Sequence, residues 1–230
     1  MGRADGTVSS MRGRLCDVLL SALCEGEAES VMQRLGDRAG FDDPVFGGSR
    51  NEASGAHIVK LIDWMKERAA RFEKSNTVIG TAIDVAEGVL FFGPQGARQR
   101  VPTAVVVERK REREVEVRLH FVPALWSSKV LGPTLSGDPI VSIGIGADSL
   151  AALTKGPHAP CFEQRARVRD GLGAERPVEG AVEGELFATS LADDSRALAM
   201  EVRGTRGAGV IVLERSLGGM IRAARIYGPI

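Results

Sequence analysis

An α+β fold of two similar modules is predicted, because one strand pattern occurs twice and only its first copy follows a full set of amphipathic helices. Residues 101 to 125 read VPTAVVVERKREREVEVRLHFVPAL, and the chain closes with ALAMEVRGTRGAGVIVLERSLGGMIRAARIYGPI. Both are β-branched runs broken by turn residues, as antiparallel meanders require. Between them, residues 126 to 140 read WSSKVLGPTLSGDPI, a Ser-, Gly- and Pro-containing stretch without periodicity that suits a linker. The modules are therefore assigned to residues 8–125 and 141–230. A chain of 230 residues with 43% hydrophobic content can supply a packed core to each.

The helices come first. Met11, Leu15, Val18, Leu19, Ala22 and Leu23 recur at helical spacing over residues 8 to 24, and Gly26 ends that helix. A short second helix, from about Glu27 to Leu35, turns Val31, Met32 and Leu35 inward and stops at Gly36, which tolerates a left-handed cap. Pro44 and the Gly47-Gly48 pair make residues 41 to 48 a turn or short edge strand. The clearest helix runs from about Ala53 to Phe72, with Ile58, Leu61, Ile62, Met65, Ala69 and Phe72 on one side.

Strands follow at about 77–86, 89–92, 103–108 and 114–122, with hairpin turns at residues 93 to 96 and in the charged RKRER run. In the last of these, Val115, Val117, Leu119 and Phe121 alternate with Glu116, Arg118 and His120, so one face is packed and the other polar. The second module opens with a short helix at about 148–154 and a strand at 162–169. Its meander resumes at 185–190, 197–203, 210–214 and 220–227, turning at Asp193-Asp194 and Gly218-Gly219.

Composition narrows the function classes. Thirty basic residues balance thirty acidic ones, so no net field gathers nucleic acid or an anionic membrane. No apolar run approaches the roughly 20 residues of a membrane helix, and the first residues lack a signal-peptide core, which leads us to expect a cytoplasmic protein with neither nucleic-acid nor membrane partners. Cys16, Cys24 and Cys161 are scattered and there are three histidines, so neither a disulfide framework nor a metal site is suggested and no cofactor is expected. IVSIGIGADSLAAL over residues 140 to 153 looks like a dinucleotide loop, but Ser149 stands where the third glycine should be. The ERKRERE run at 108 to 114 mixes both signs, as a solvated hairpin tip does.

The order helix, short helix, FDDPVFGG, long helix and meander resembles the nuclear transport factor 2-like, or SnoaL-like, superfamily of cystatin-like α+β cones. Residues 41 to 47, the Ser54-Gly55-Ala56 helix start, the Val115–Phe121 strand and, in the second copy, residues 218 to 227 carry the resemblance. It implies two cone-like modules, each with a curved antiparallel sheet, helices packed on the first and the second copy truncated. It also implies an intramolecular pseudo-dimer, so a monomer would suffice, with Glu116, Arg118 and His120 at the contact. Residues 141 to 180 depart from the pattern, since no long amphipathic helix precedes the second meander.

Such cones have an apolar cavity, and the resemblance implies cofactor-free acid/base chemistry there, in an isomerase, cyclase or hydrolase acting on a small apolar molecule. Asp84, within TAIDVAEG, and Asp43, at the cavity rim, are the candidate bases. Asp84 on an outer face or paired with an arginine is the competing reading, and for Asp42 and Asp43 it is a turn-forming role before proline. Trp64, Phe72, Phe46, Leu119 and Phe121 are the candidate ligand contacts, and Trp126 could also line a pocket, with core or inter-domain packing as the alternative for the two tryptophans. The steroid isomerase pattern is not matched, because the only tyrosine, Tyr227, lies in the final strand, and the epoxide hydrolase arginine with two aspartates has no counterpart. A non-catalytic ligand-binding or scaffold module of the same fold is the alternative function.

Overall fold

The computed structural model describes residues 5–36, 38–50, 53–94, 99–110, 114–122, 145–154 and 160–230. The first module comprises α1 (Asp5–Glu25), α2 (Ala28–Leu35), β1 (Ala39–Asp43), β2 (Gly47–Arg50), α3 (Ala53–Glu67), β3 (Arg71–Ile79), β4 (Ile83–Phe92), β5 (Gln99–Arg109) and β6 (Val115–His120). The second comprises α4 (Ile145–Thr154), β7 (Phe162–Arg169), β8 (Glu175–Arg176), β9 (Phe187–Asp193), β10 (Ala197–Gly204), β11 (Gly207–Arg215) and β12 (Ile221–Tyr227). Each forms a six-stranded sheet, in the orders β2-β1-β6-β5-β4-β3 and β8-β7-β12-β11-β10-β9. In both, the last strand runs parallel to the first long one, β6 to β1 and β12 to β7, while every other pairing is antiparallel. The fold is thus α+β, with one topology used twice.

Several boundaries differ from the sequence reading. The helix expected to reach Phe72 ends at Glu67 because Ala69 takes a φ of 45° and the Ala70 amide closes back onto the Met65 carbonyl at 2.9 Å. Phe72 belongs to β3 instead. The single strand expected over 77–86 is divided by a turn at residues 80 to 82, closed by the Gly80 amide on the Ile83 carbonyl at 2.9 Å. Periodicity cannot locate this break, since residues on both sides are apolar. In the DDPVFGG segment, β1 is an interior strand between β2 and β6, and Pro44 sits in the turn where no ladder donor is needed. Lys110 and Glu114 close the charged hairpin by a 2.9 Å backbone bond. The expected linker at 126–140 lies outside the described residues, as do residues 95 and 96 of the GPQG turn.

Three apolar clusters explain the layering. One lies between α1–α3 and the inner face of the first sheet, where Leu19, Leu23, Ile58, Leu61 and Met65 meet Leu90, Val105, Val117, Leu119 and Phe121. A smaller one lies beneath α4. There, Val178, Ala181 and Val182, tied to α4 by the Val182 amide on the Leu153 carbonyl at 2.8 Å, cover part of the sheet between β8 and β9, the interval in which α3 stands in the first module. The third joins the two sheets face to face, with Val78, Ile83, Val85, Ala104 and Val106 packed against Ala192, Ala199, Val210 and Val212. Strands β4 and β5 are therefore buried on both faces, which is why they read as nearly unbroken apolar runs. Among the described residues, no helix is long and apolar enough to cross a membrane.

Candidate functional site

Two places bring together polar groups in apolar surroundings. One is the cone of the first module. On β4, Asp84 shares the inner face with Ala86 and Leu90 and is 2% exposed. Next to it, the Cys16 thiol of α1 reaches the Asp84 carbonyl at 3.7 Å and that of Val105 at 3.4 Å. Burial, and then the Asp84 charge, push the Cys16 pKa far above the ordinary thiol range.

Asp43 ends β1 and is fully buried. Its Oδ1 accepts the Val45 and Phe46 amides at 2.7 and 2.9 Å, and its Oδ2 meets His57 Nε2 at 2.5 Å. The His57 ring lies near Phe41 and Phe46, with centroids 5.7 and 6.3 Å away. Nothing in the residue spacing had singled out His57; it is on the first turns of α3, fourteen residues beyond Asp43, and only the helix brings it back over β1.

The expected ligand contacts are all part of the same cluster. Leu119 and Phe121 are fully buried and Phe72 nearly so. Trp64 packs edge-on to Phe92 at 5.4 Å beneath the Arg68 guanidinium, and Phe46 lies under Lys60 Nζ at 4.3 Å. Together with Leu19, Leu20, Leu23, Leu61 and Met65, all at 1% exposure or less, they fill the space between helices and sheet.

The other place is the face between the sheets. Arg118 on β6 crosses to Glu201 on β10 through a bidentate pair, Nε to Oε1 and Nη2 to Oε2, both 2.7 Å. Glu201 also receives His120 Nε2 at 2.8 Å and Ser190 Oγ at 2.7 Å, while Arg118 additionally binds Glu108 at 2.7 Å and Glu116 at 2.9 Å. The same device recurs in the opposite sense. Arg225 on β12 crosses to Glu87 on β4 at 2.7 and 3.0 Å. Glu87 also accepts Tyr227 Oη at 2.7 Å and Asn76 Nδ2 at 2.9 Å, and Arg225 holds Glu214 at 2.6 Å.

The correspondence extends to the backbone. Both glutamates lie beside a bulge in the neighbouring strand, between Lys74 and Asn76 in one sheet and opposite Glu201 and Val202 in the other. In each bulge a hydroxyl bonds the glutamate's own carbonyl, Ser75 to Glu87 at 3.1 Å and Thr189 to Glu201 at 3.4 Å. Asp170 likewise repeats the turn of Asp43, accepting the Leu172 and Ala174 amides at 3.0 and 2.9 Å. The two modules are thus related by a pseudo-twofold axis, and the expected interface residues Arg118 and His120 lie in the contact between them.

Electrostatics follow from the pairing. Burial by itself raises the Glu201 pKa, but the hydrogen bond from His120 and the Arg118 charge pull it down to about 2. Burial and then Glu87 push the Tyr227 hydroxyl up, so it stays a donor. Among the described residues, no group of His, Cys, Asp and Glu could hold a metal ion. Sequence reading singled out neither glutamate, although each lies within an apolar strand, Glu201 as its single acid and Glu87 three residues after Asp84, and Arg-x-His in β6 mirrors Arg-x-Tyr in β12.

Comparison with known proteins gives a likeness in structure alone. No family model matches the chain, and no curated protein does. An NTF2-like protein of unknown function from Cytophaga hutchinsonii aligns at 13% identity and a TM-score of 0.38, over 48% of this chain and 97% of that one. A protein of unknown function with a cystatin-like fold from Methylobium petroleophilum aligns at 16% identity and 0.39, over 54% and 84%. The epoxide hydrolase/cyclase-like enzyme SalBIII, described as acting in pyran ring formation in the polyether salinomycin, aligns at 12% and 0.37, over 48% and 91%. The chain is therefore similar, over about half its length in each alignment, to NTF2-like, SnoaL-like and cystatin-like fold proteins.

Proposed function

We propose that this chain is a non-catalytic scaffold protein, in which the second module takes the place that a dimer partner would occupy. The observation that supports it most is the packing of the first cone. Leu19, Leu20, Leu23, Phe41, Leu61, Met65, Leu119 and Phe121 occupy its interior at 1% exposure or less, where an apolar substrate would have to lie. The repeated turn supports the same reading for Asp43. Asp170 performs an equivalent backbone task in the second module, so the turn alone accounts for an aspartate at that position.

Methyl-resolved NMR of the whole chain, titrated with a panel of neutral apolar metabolites, tests this. The expected result is no saturable shift at the Leu61, Met65 or Leu119 methyls. Saturable shifts there, together with turnover lost in Asp43→Asn, would favour the competing reading. That reading is a cofactor-free isomerase, cyclase or hydrolase, and the 2.5 Å contact between Asp43 and His57 favours it, as an aspartate-oriented imidazole can act as a general base. Asp84, buried on the inner face of β4, is the other candidate base.

A further inference from the structure

Outside the cone, a cleft of about 1330 Å³ opens between the modules, lined from β3–β5 on one side and from the β7–β8, β9–β10 and β11–β12 turns on the other. The whole chain carries no net charge, yet among the described residues this cleft presents Arg100, Arg169, Arg196, Arg215, Arg222 and Arg225 against only two carboxylates, Asp170 and Glu214. Both carboxylates are already engaged. Asp170 holds its own turn and Arg176, while Glu214 binds Arg222 and Arg225. Arg169 pairs with Glu175, and Arg215 with Asp193.

Among the described residues, two of these cations have no carboxylate partner. Among the described residues, Arg100, from the first module, meets only the Phe91 ring at 5.7 Å, and Arg196, at the β9–β10 turn of the second, has no side-chain partner. Guanidinium stays charged at any physiological pH and offers a planar fork that matches an oxyanion. Part of this cationic lining does not follow from the repeat itself, although Arg215 and Arg225 match Arg109 and Arg118. Strand register matches Arg169 with Asp42 and Arg196 with Ala82, so the pseudo-equivalent positions of the first module carry an acid and a methyl group.

The same cleft has an apolar component. Leu172 and Leu217 line it and are 73% and 111% exposed, and Val89 and Pro102 lie along the floor from the first sheet. Its volume exceeds the roughly 300–1,000 Å³ of a pocket for one compact small molecule, which suits an extended ligand. We infer that this cleft binds an amphipathic anion, a small molecule with a phosphate or carboxylate head held by Arg100 and Arg196 and an apolar tail laid across Leu172 and Leu217. The inference is independent of what the cone does, since none of the cone residues named above lines the cleft.

Isothermal titration calorimetry of the full chain tests it, using octyl phosphate, octanoate, octanol and inorganic phosphate as probes. Octyl phosphate or octanoate should bind at one per chain, with octanol and inorganic phosphate each at least about tenfold weaker. The double variant Arg100→Ala, Arg196→Ala changes two exposed side chains and should weaken the anionic probe at least about tenfold while leaving the thermal midpoint in place. Leu172→Ser with Leu217→Ser should remove the advantage of octyl phosphate over inorganic phosphate. Absence of binding, equal affinity in the double arginine variant, or octanol binding as tightly as octyl phosphate would each overturn the proposal. Cone methyl shifts in the NMR titration would count against the scaffold reading and leave this cleft untouched, so the two failures are separable.

Discussion

Glu201→Gln should destabilise the chain by about 3 kcal/mol. The carboxylate is 2% exposed and takes four short contacts, two from Arg118 and one each from His120 and Ser190. Removing one partner of a buried pair typically costs about 3–5 kcal/mol, because the other charge is left in a low-dielectric site. Arg118 keeps Glu108 and Glu116, which places the expected value at the lower end. For a chain of this size that corresponds to a fall of about 1–1.5 M in urea midpoint, or about 6–12 °C in melting temperature. Urea unfolding followed by far-UV circular dichroism and tryptophan fluorescence gives the number, provided that both probes report one transition. Replacing both partners, Arg118→Leu with Glu201→Leu, should cost clearly less than the sum of the singles, since no isolated charge then remains. Additive singles within about 0.5 kcal/mol, or a Glu201→Gln loss below about 1 kcal/mol, would show that this network does not hold the modules together.

Glu87→Gln should cost about as much as Glu201→Gln, in the same urea experiment, because its partners Arg225, Tyr227 and Asn76 mirror those of Glu201. A difference of more than about 2 kcal/mol would break the pseudo-twofold account. The Glu201 pKa lies below its ordinary value, so its contribution to stability is complete above about pH 4.5 and is lost as the pH falls towards about 2; Glu201→Gln should flatten that part of the acid limb in a pH series of urea midpoints. Gly88→Ala should cost at least about 2 kcal/mol, as the new methyl would stand 2.3 Å from the Glu73 carbonyl oxygen and 2.6 Å from the Phe72 ring, and unchanged stability would mean that β3 and β4 can part there. Burial pushes the Cys24 thiol up to about 12 and Cys16 higher still, so both should resist a disulfide reagent at pH 8 until the chain is unfolded; fast labelling of either in native protein would contradict the packing under α1.

Much of the chain's architecture was legible because it rests on local pattern. The apolar stripe of residues 15 to 23, the stop at Gly26 and the Gly36 cap all coincide with α1 and α2. The strand expected at 162–169 is β7 itself, and the alternation in β6 correctly put Arg118 and His120 on the face away from Leu119. Legibility failed where two residues of the same character do different jobs. Phe72 continues a helical spacing but begins β3, because the break is a single backbone conformation at Ala69 that no side chain announces. The site was harder still. Asp43 and His57, Arg118 and Glu201, and Arg225 and Glu87 are 14, 83 and 138 residues apart.

The sequence by itself determined that there would be two modules, that each would end in a meander, and that the second would lack a counterpart of the long helix, because period, turn chemistry and composition act over a few neighbouring residues. Only the tertiary structure decided which acids matter. A glutamate inside an apolar strand is unstable until an arginine from the other module reaches it, and that partner is chosen by the packing of one sheet on another. The cleft with Arg100 and Arg196 depends on the same packing, since its two walls belong to different modules and exist as a site only once the sheets meet.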